Sequence, residues 1–371
     1  MKKPPLIWTN ILVFSSTLLA AVILVPWYEL SYGFDAFVII AAVISLFFCG
    51  MSITAGYHRL WSHKTYQAHW SVRLLFAIGG AFAMQNSALH WSSDHRVHHK
   101  FVDDNDKDPY SAKKGFWYSH IGWMLRHYHK DTYHDYSNCR DLQKDPIVVW
   151  QHKHYLVLTL LTNFGFAALV GWMSGQMLAS FIAVGVTRLV LSHHFTFFIN
   201  SWAHMWGSQP YTDKNTAKDN ALLAVFTHGE GYHNYHHIFE MDYRNGIKWY
   251  HYDPTKWLIK GLSLIGLASG LRKTPQLKIE QAKLQMVLKR ANQKLDLRHD
   301  AEELKQKIHD EYEELMAKLN AFYSLKKRLF DDKRKQLLKD FEKSEIKAQL
   351  NELKSSLAHQ RQSWLTMTSH A

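Results

Sequence analysis

Cysteine is almost missing from this chain. Only Cys49 and Cys139 occur in 371 residues, and neither belongs to a Cys-x-x-Cys pair. That excludes a disulfide framework and leaves any metal ligation to other side chains. Proline and glycine are missing from the whole stretch 276–364, which removes the usual helix breakers there. A hard magnesium or calcium site would call for clustered oxygen ligands, whereas this chain clusters imidazoles. Its 25 histidines include His58-Arg-Leu-Trp-Ser-His63, His95-Arg-Val-His98-His99 and His233-Asn-Tyr-His236-His237, all beside hydrophobic stretches. Imidazole binds iron, zinc and copper, so a transition-metal centre at a membrane surface is the first expectation.

Spacing supports this more than number does. Residues three or four apart share a helix face, so His95, His98 and His99 can converge, and so can His233, His236 and His237. His58 and His63 differ. Five residues turn an ideal α-helix by about 500°, leaving the rings roughly 140° apart, so that segment must bend or serve two metals. Any one cluster alone would fit histidines satisfied in a surface or core. Three together argue for a site.

The formal charge is +12, from 44 basic and 32 acidic residues, and 14 Trp, 18 Tyr and 20 Phe suit anchoring at a bilayer interface. A basic balance alone fits nucleic acid, an anionic membrane face or a phosphate-bearing substrate. The hydrophobic map decides. Segments 6–28, 37–55, 155–173 and 177–195 are each about long enough to cross a ~30 Å hydrocarbon core. Met1-Lys-Lys precedes the first without a small-residue cleavage site, which reads as an anchor and not a removable leader. Segment 74–84 is apolar but short and reads as a re-entrant or interfacial helix. With the N-terminus on the positive, cytoplasmic side, four spans bring all three histidine clusters, and both termini, to the cytoplasmic face. Arg188 lies inside the fourth span, where a charge faces a polar interior or snorkels to the interface.

The sequence divides into a membrane domain, 1–275, and a charged tail, 276–371. In the tail Leu304, Ile308, Leu315, Leu319, Phe322 and Leu325, then Leu350, Leu353 and Leu357, recur at helical spacing, which predicts an amphipathic hairpin or coiled coil without a catalytic role. The fold expected is therefore an all-α integral membrane protein of four transmembrane helices, with a cytosolic helical cap and a helical tail.

His58-Arg-Leu-Trp-Ser-His63, Asp94-His-Arg-Val-His-His99, Asn200-Ser-Trp-Ala-His204 and Gly229-Glu-Gly-Tyr-His-Asn-Tyr-His-His237 resemble the membrane-bound acyl-CoA desaturases of the stearoyl-CoA, delta-9 type. The likeness runs over about 37–257 and takes in Gln85-Asn86, Gly115-Phe-Trp-Tyr-Ser-His-Ile-Gly-Trp123 and Asp242-Tyr-Arg244. It implies a cap holding two irons. By position the ligands become His58, His63, His95, His98, His99, His204, His233, His236 and His237, with Asn200 reaching an iron through water. His120 also matches a family histidine, but not a ligand. The implied reaction removes hydrogen from an unactivated methylene of an acyl-CoA, using O2 and two electrons from a separate donor such as ferredoxin, cytochrome b5 or a reductase. A cis double bond at carbon nine of a C16–C18 chain is the product this implies. No His-Pro-Gly-Gly haem segment occurs in the tail, so a fused cytochrome b5 is not expected.

Asn86, Arg126, Arg188 and Thr196 are the substrate-contact candidates, Asn86 and Arg126 toward the coenzyme A end. The chain departs from the family pattern at Ser93, where a basic residue is common, at Phe197 for tryptophan, and at Glu240 for proline. Those changes bear on acyl carrier and chain length, not on the metal ligands. A bacterial inner membrane is favoured over the endoplasmic reticulum. A lipid hydroxylase of the same histidine-rich class is the nearest competing function; a metal-handling membrane protein is more distant, because transport would put ligands inside the spans. Nucleic-acid binding is excluded by the dispersal of the basic excess.

Overall fold

The computed structural model describes residues 4–130, 133–296, 301–334 and 340–370. Four helices are long and apolar enough to cross a membrane: α1 Trp8–Ser31, α2 Ala36–Ser62, α7 Tyr155–Ser174 and α8 Met177–Met205. Their outer faces carry bare Leu12, Leu19, Ile23, Ile40, Ile44, Leu161 and Trp172, which in water would be a large liability and in lipid is the expected surface. The span α1 has Tyr28 as its one buried residue. Asp35 begins α2 by accepting the Phe37 amide, an N-cap that satisfies an orphan donor.

Between α2 and α7 lie α3 Trp70–Phe82, α4 Ala88–Phe101, the short α5 Phe116–His120 and α6 Pro146–Lys153. The apolar α3, thirteen residues long, is too short to span. It packs on the last turns of α2. A Cβ at Gly79 would run into Ser52 and one at Gly80 into the Tyr57 ring, so these glycines let the two backbones approach. Ser87 caps α4 through the His90 amide. After α8 come α9 Ala221–Phe226, α10 His233–Ile238 and α11 Pro254–Leu264. Gln67–Ala68 pairs antiparallel with Ala268–Ser269, tying the segment after α11 to the one before α3.

Arg188 faces a polar interior and does not snorkel, the first of the two expectations. It is 1 % exposed, its guanidinium donates to the Phe82 carbonyl at 2.8 Å, to Asn163 Oδ1 at 2.6 Å and to the Val184 carbonyl at 3.0 Å, and it sits 4.0 Å from the centre of the Phe82 ring. It is an internal tie between α8, α7 and the end of α3, with its charge met by carbonyl dipoles.

Two compact units result, Met1–Gln209 with Lys214–Lys273, and Pro210–Asp213 with Thr274–Ala371. The second holds α12 Gln276–Leu295, α13 Ala301–Arg334 and α14 Asp340–His370. Leu284 and Leu295 from α12, Ile308, Leu315 and Leu319 from α13, and Trp364 from α14 bury one another, and Trp364 Nε1 donates to the Ile308 carbonyl at 3.0 Å. Three helices therefore share this core, where a hairpin of two was expected. The apolar stripe of α12 is what the sequence reading left out.

Candidate metal centre

The last eleven residues of α2, Ser52–Ser62, wind as a π-helix. The wider pitch advances each residue by less than 100°, so residues five apart come nearly into line. His63 N donates to the His58 carbonyl at 3.1 Å, and the two rings stand 4.9 Å apart. The segment neither bends nor serves two sites; it unwinds. Every residue from Ser52 to Ser62 is buried, which protects that unusual ladder.

Among the described residues, nine imidazoles gather from four segments into two groups. His58, His63, His95, His99 and His236 form one; His98, His204, His233 and His237 form the other, and in each the candidate ligand atoms lie within 4.8 Å of one another. The α4 and α10 clusters thus do not converge on single points: i, i+4 neighbours His95 and His99 face the first group while His98 faces the second, and His236 parts from His233 and His237 likewise. The groups adjoin, His99 stacking on His237 with centroids 4.3 Å apart.

The spacing within each group suits a metal. Nε2 atoms stand 2.9 Å apart for His58 and His236, 2.8 Å for His63 and His95, 3.0 Å for His99 and His236, 3.1 Å for His204 and His233, and 3.0 Å for His233 and His237. Ligands about 2.1 Å from one ion and at right angles to each other are roughly 3 Å apart. The donor set is imidazole throughout. Burial, then the neighbouring rings, holds His95, His233, His236 and His237 well below the usual histidine range, and burial lowers His99 to about 4. Nine imidazoles with their ring nitrogens pressed together fit a cation better than they fit each other.

The opposite ring nitrogens have their own partners. His58 Nδ1 lies 2.9 Å from Glu230 Oε2 and His98 Nδ1 2.9 Å from Asp108 Oδ1. His204 Nδ1 is 2.8 Å from Thr216 Oγ1, whose hydroxyl donates to Asp103 Oδ1 at 2.6 Å. His95 Nδ1 is 3.3 Å from the Tyr110 hydroxyl, and His99 Nδ1 3.2 Å from Glu240 Oε2. Such contacts would leave the Nε2 lone pair available to a metal ion. Glu230 also receives Arg59; burial would raise its pKa, but the His58 and Arg59 charges hold it down at about 2. Of these acidic partners only Glu240 stood out in sequence, as a departure from the family pattern and not as a partner of an imidazole. Glu230 lies inside a quoted motif, and Asp108 lies ten residues beyond His98 with nothing to mark it.

The remaining candidates fall around the groups. Asn200 is half-buried, one turn before His204 on α8. Thr196 Oγ1 accepts from Gln85 Nε2 at 2.8 Å and lines an apolar cleft with Leu46, Ile53, Thr54, Phe195 and Ile199. Asn86 holds a positive φ of 73°, a conformation asparagine tolerates, and its amide donates to the Tyr155 hydroxyl at 2.8 Å. Arg126 donates to the Pro4 carbonyl at 2.7 Å. His120 joins neither group: its nitrogens meet Ser201 Oγ and His194 Nδ1, both at 3.0 Å.

Residues 34–264 match the family model described as fatty acid desaturase. An acyl-CoA desaturase 1 of Saccharomyces cerevisiae is 46 % identical over 246 residues, 66 % of this chain and 48 % of the relative. A Delta(9)-fatty-acid desaturase of Caenorhabditis elegans is 35 % identical over 270 residues, 71 % of this chain and 78 % of the relative. An acyl-CoA Delta12-desaturase of Acheta domesticus is 39 % identical over 230 residues, 61 % and 64 % of the two chains. The chain thus spans about half the length of the yeast relatives it matches.

Proposed function

This chain belongs to the fatty acid desaturase family, and on that premise we propose that it inserts a cis double bond at carbon nine of a saturated C16–C18 acyl-CoA. The observation that carries the reading is the sorting of nine buried imidazoles into groups of five and four. Those residues would hold two irons, and Asn200 would reach one through water. Bound iron would supply the one-electron steps by which O2 and an external reductant take two hydrogens from an unactivated methylene.

The chain's own residues do the rest. Glu230, Asp108, Thr216, Tyr110 and Glu240 fix the tautomer of the imidazoles they touch. The apolar cleft beside Thr196 is narrow and would have to open to take a methylene chain, and the Gln85 to Thr196 hydrogen bond sets a polar fixed point on its wall. Asn86 and the free face of Arg126 meet the charged carrier outside. The acidic groups near the imidazoles are engaged at Nδ1, directly or, for Asp103, through Thr216, which favours a role in orienting rings over one as hydrolytic acid or base. The protein sits in a bacterial inner membrane with the cap and both termini cytoplasmic, and residues 276–371 form a separate appendage to the 1–275 membrane domain. A separate carrier delivers the electrons.

The test is expression in a host that makes no unsaturated fatty acids, with iron quantified on the purified protein and lipids profiled by mass spectrometry. A new monounsaturated chain and iron near two per protein support the reading. A hydroxylated product, or no lipid change with iron and reductant supplied, overturns it.

A further inference from the structure

Glu240 stands where the resemblance leads one to expect proline, a residue without a carboxylate. It follows α10 by two residues, so the short segment carrying His233, His236 and His237 also carries this acid. Its backbone is held: Asp242 N donates to the Phe239 carbonyl at 2.9 Å, and Tyr235 Oη donates to Asp242 Oδ2 at 2.7 Å. From there Glu240 Oε2 lies 3.2 Å from His99 Nδ1 and 3.9 Å from His63 Nδ1. It therefore addresses two imidazoles of the five-histidine group from two different segments. The other carboxylates on imidazoles are deep, Glu230 at 2 % and Asp108 at 0 % side-chain exposure, whereas Glu240 is 48 % exposed.

We propose that Glu240 is a positioning residue particular to this chain, which orients His99, biases His63 and places one negative charge at the solvent edge of the five-histidine group. The inference rests on the two-iron reading above. Accepting from Nδ1 presents Nε2 of His99 to the ion and raises the basicity of the ring. A fixed negative charge beside the group favours the more oxidised metal, so the reduction potential is lower with Glu240 than without it. Because the charge is half-solvated, its effect is smaller than that of a buried acid and is screened by salt.

The experiment uses the full-length protein in detergent or nanodiscs, with Glu240→Gln, Glu240→Ala and Glu240→Pro beside the parent and a Glu302→Ala control in the tail. Iron release to a chelator and the reduction potential are followed by absorbance. Removal of a group that orients a ligand typically weakens metal binding by about 10–100-fold. Glu240→Ala and Glu240→Pro should speed loss of one of two irons by about that range, and Glu240→Gln by less, since its amide oxygen still accepts. All three should raise the potential, which a purely structural loop residue would not do. Parent-like release and potential in Glu240→Gln and Glu240→Ala overturn this proposal alone. A folded parent that binds no iron overturns the metal reading, and this proposal with it.

Discussion

His58 and His63 face one another across a π-turn, rings 4.9 Å apart and linked by the His63 N to His58 carbonyl hydrogen bond of 3.1 Å. An α-helix would separate them. The pitch of eleven buried residues is thus part of the site, in line with the frequent use of π-turns at functional positions. Deleting Leu60 shortens the register by one residue and should swing His63 out of the five-histidine group. The expected outcome is loss of one iron and of turnover, with the tail's helical signal in circular dichroism retained.

The two groups should be separable by substitution. His95→Ala and His236→Ala each remove a ligand from the group of five, and His204→Ala one from the group of four. Each should abolish turnover, because both metals are needed, and lower iron content. Asn200→Ala should cost activity with less loss of iron. Full activity in any histidine variant removes that residue from the ligand set.

Acid should weaken the fold in a defined window. Burial depresses the pKa of His95, His233, His236 and His237, and takes His99 to about 4. The native rings stay neutral while the unfolded chain takes up protons below about 6.5. The unfolded state then binds more protons, so stability is full above that pH and falls as pH drops from about 6.5 towards about 4. Metal held by neutral imidazole is lost in the same direction. Thermal unfolding of iron-free protein between pH 7.5 and 4.5 checks this; a level midpoint across the range contradicts it.

Much of this was legible in the chain. The four spans, the short α3 and eight of the nine imidazoles announce themselves, because hydropathy runs and histidine spacing are local signals; His204 entered only through the family resemblance. What was not legible is tertiary. Whether His98 joins His99 or leaves it depends on α8 and α10 arriving from far along the chain. The π pitch at Ser52–Ser62 comes from burial on every side, not from propensity. The particular partners of Arg188, the Phe82 carbonyl and Asn163, were not legible because they lie on other helices. Replacing Arg188 tests its role as a tie: Arg188→Met leaves both oxygens unpaired at about 1–3 kcal/mol each, so the melting temperature should fall while the chain-length profile of the product stays put. A changed profile at unchanged stability would restore a substrate contact.

The three-helix tail closes its own core around Trp364, Ile308 and Leu315. Truncation after Pro275 should therefore leave iron loaded and turnover with an artificial reductant intact. It also removes Lys289 from Asp213, a pair 2.7 Å apart but largely exposed and worth at most about 1 kcal/mol. Loss of iron on truncation contradicts the separation. Activity lost only with the natural electron carrier identifies the tail as its dock.

The product is the sharpest test. Burying an alkyl chain is worth about 0.8 kcal/mol per CH2, so on the proposed reading long saturated tails should bind more tightly than short ones. On the proposed reading the charged carrier would stay outside, where Arg126, with one donor on the Pro4 carbonyl, would meet a phosphate. Arg126→Glu should then raise KM for the acyl-CoA by charge repulsion while leaving iron content unchanged. In the host without unsaturated fatty acids, double-bond location by mass spectrometry should place a cis bond at carbon nine, dependent on O2. A bond at another carbon overturns the position and leaves the desaturase; thioester use untouched by Arg126→Glu moves the carrier site elsewhere.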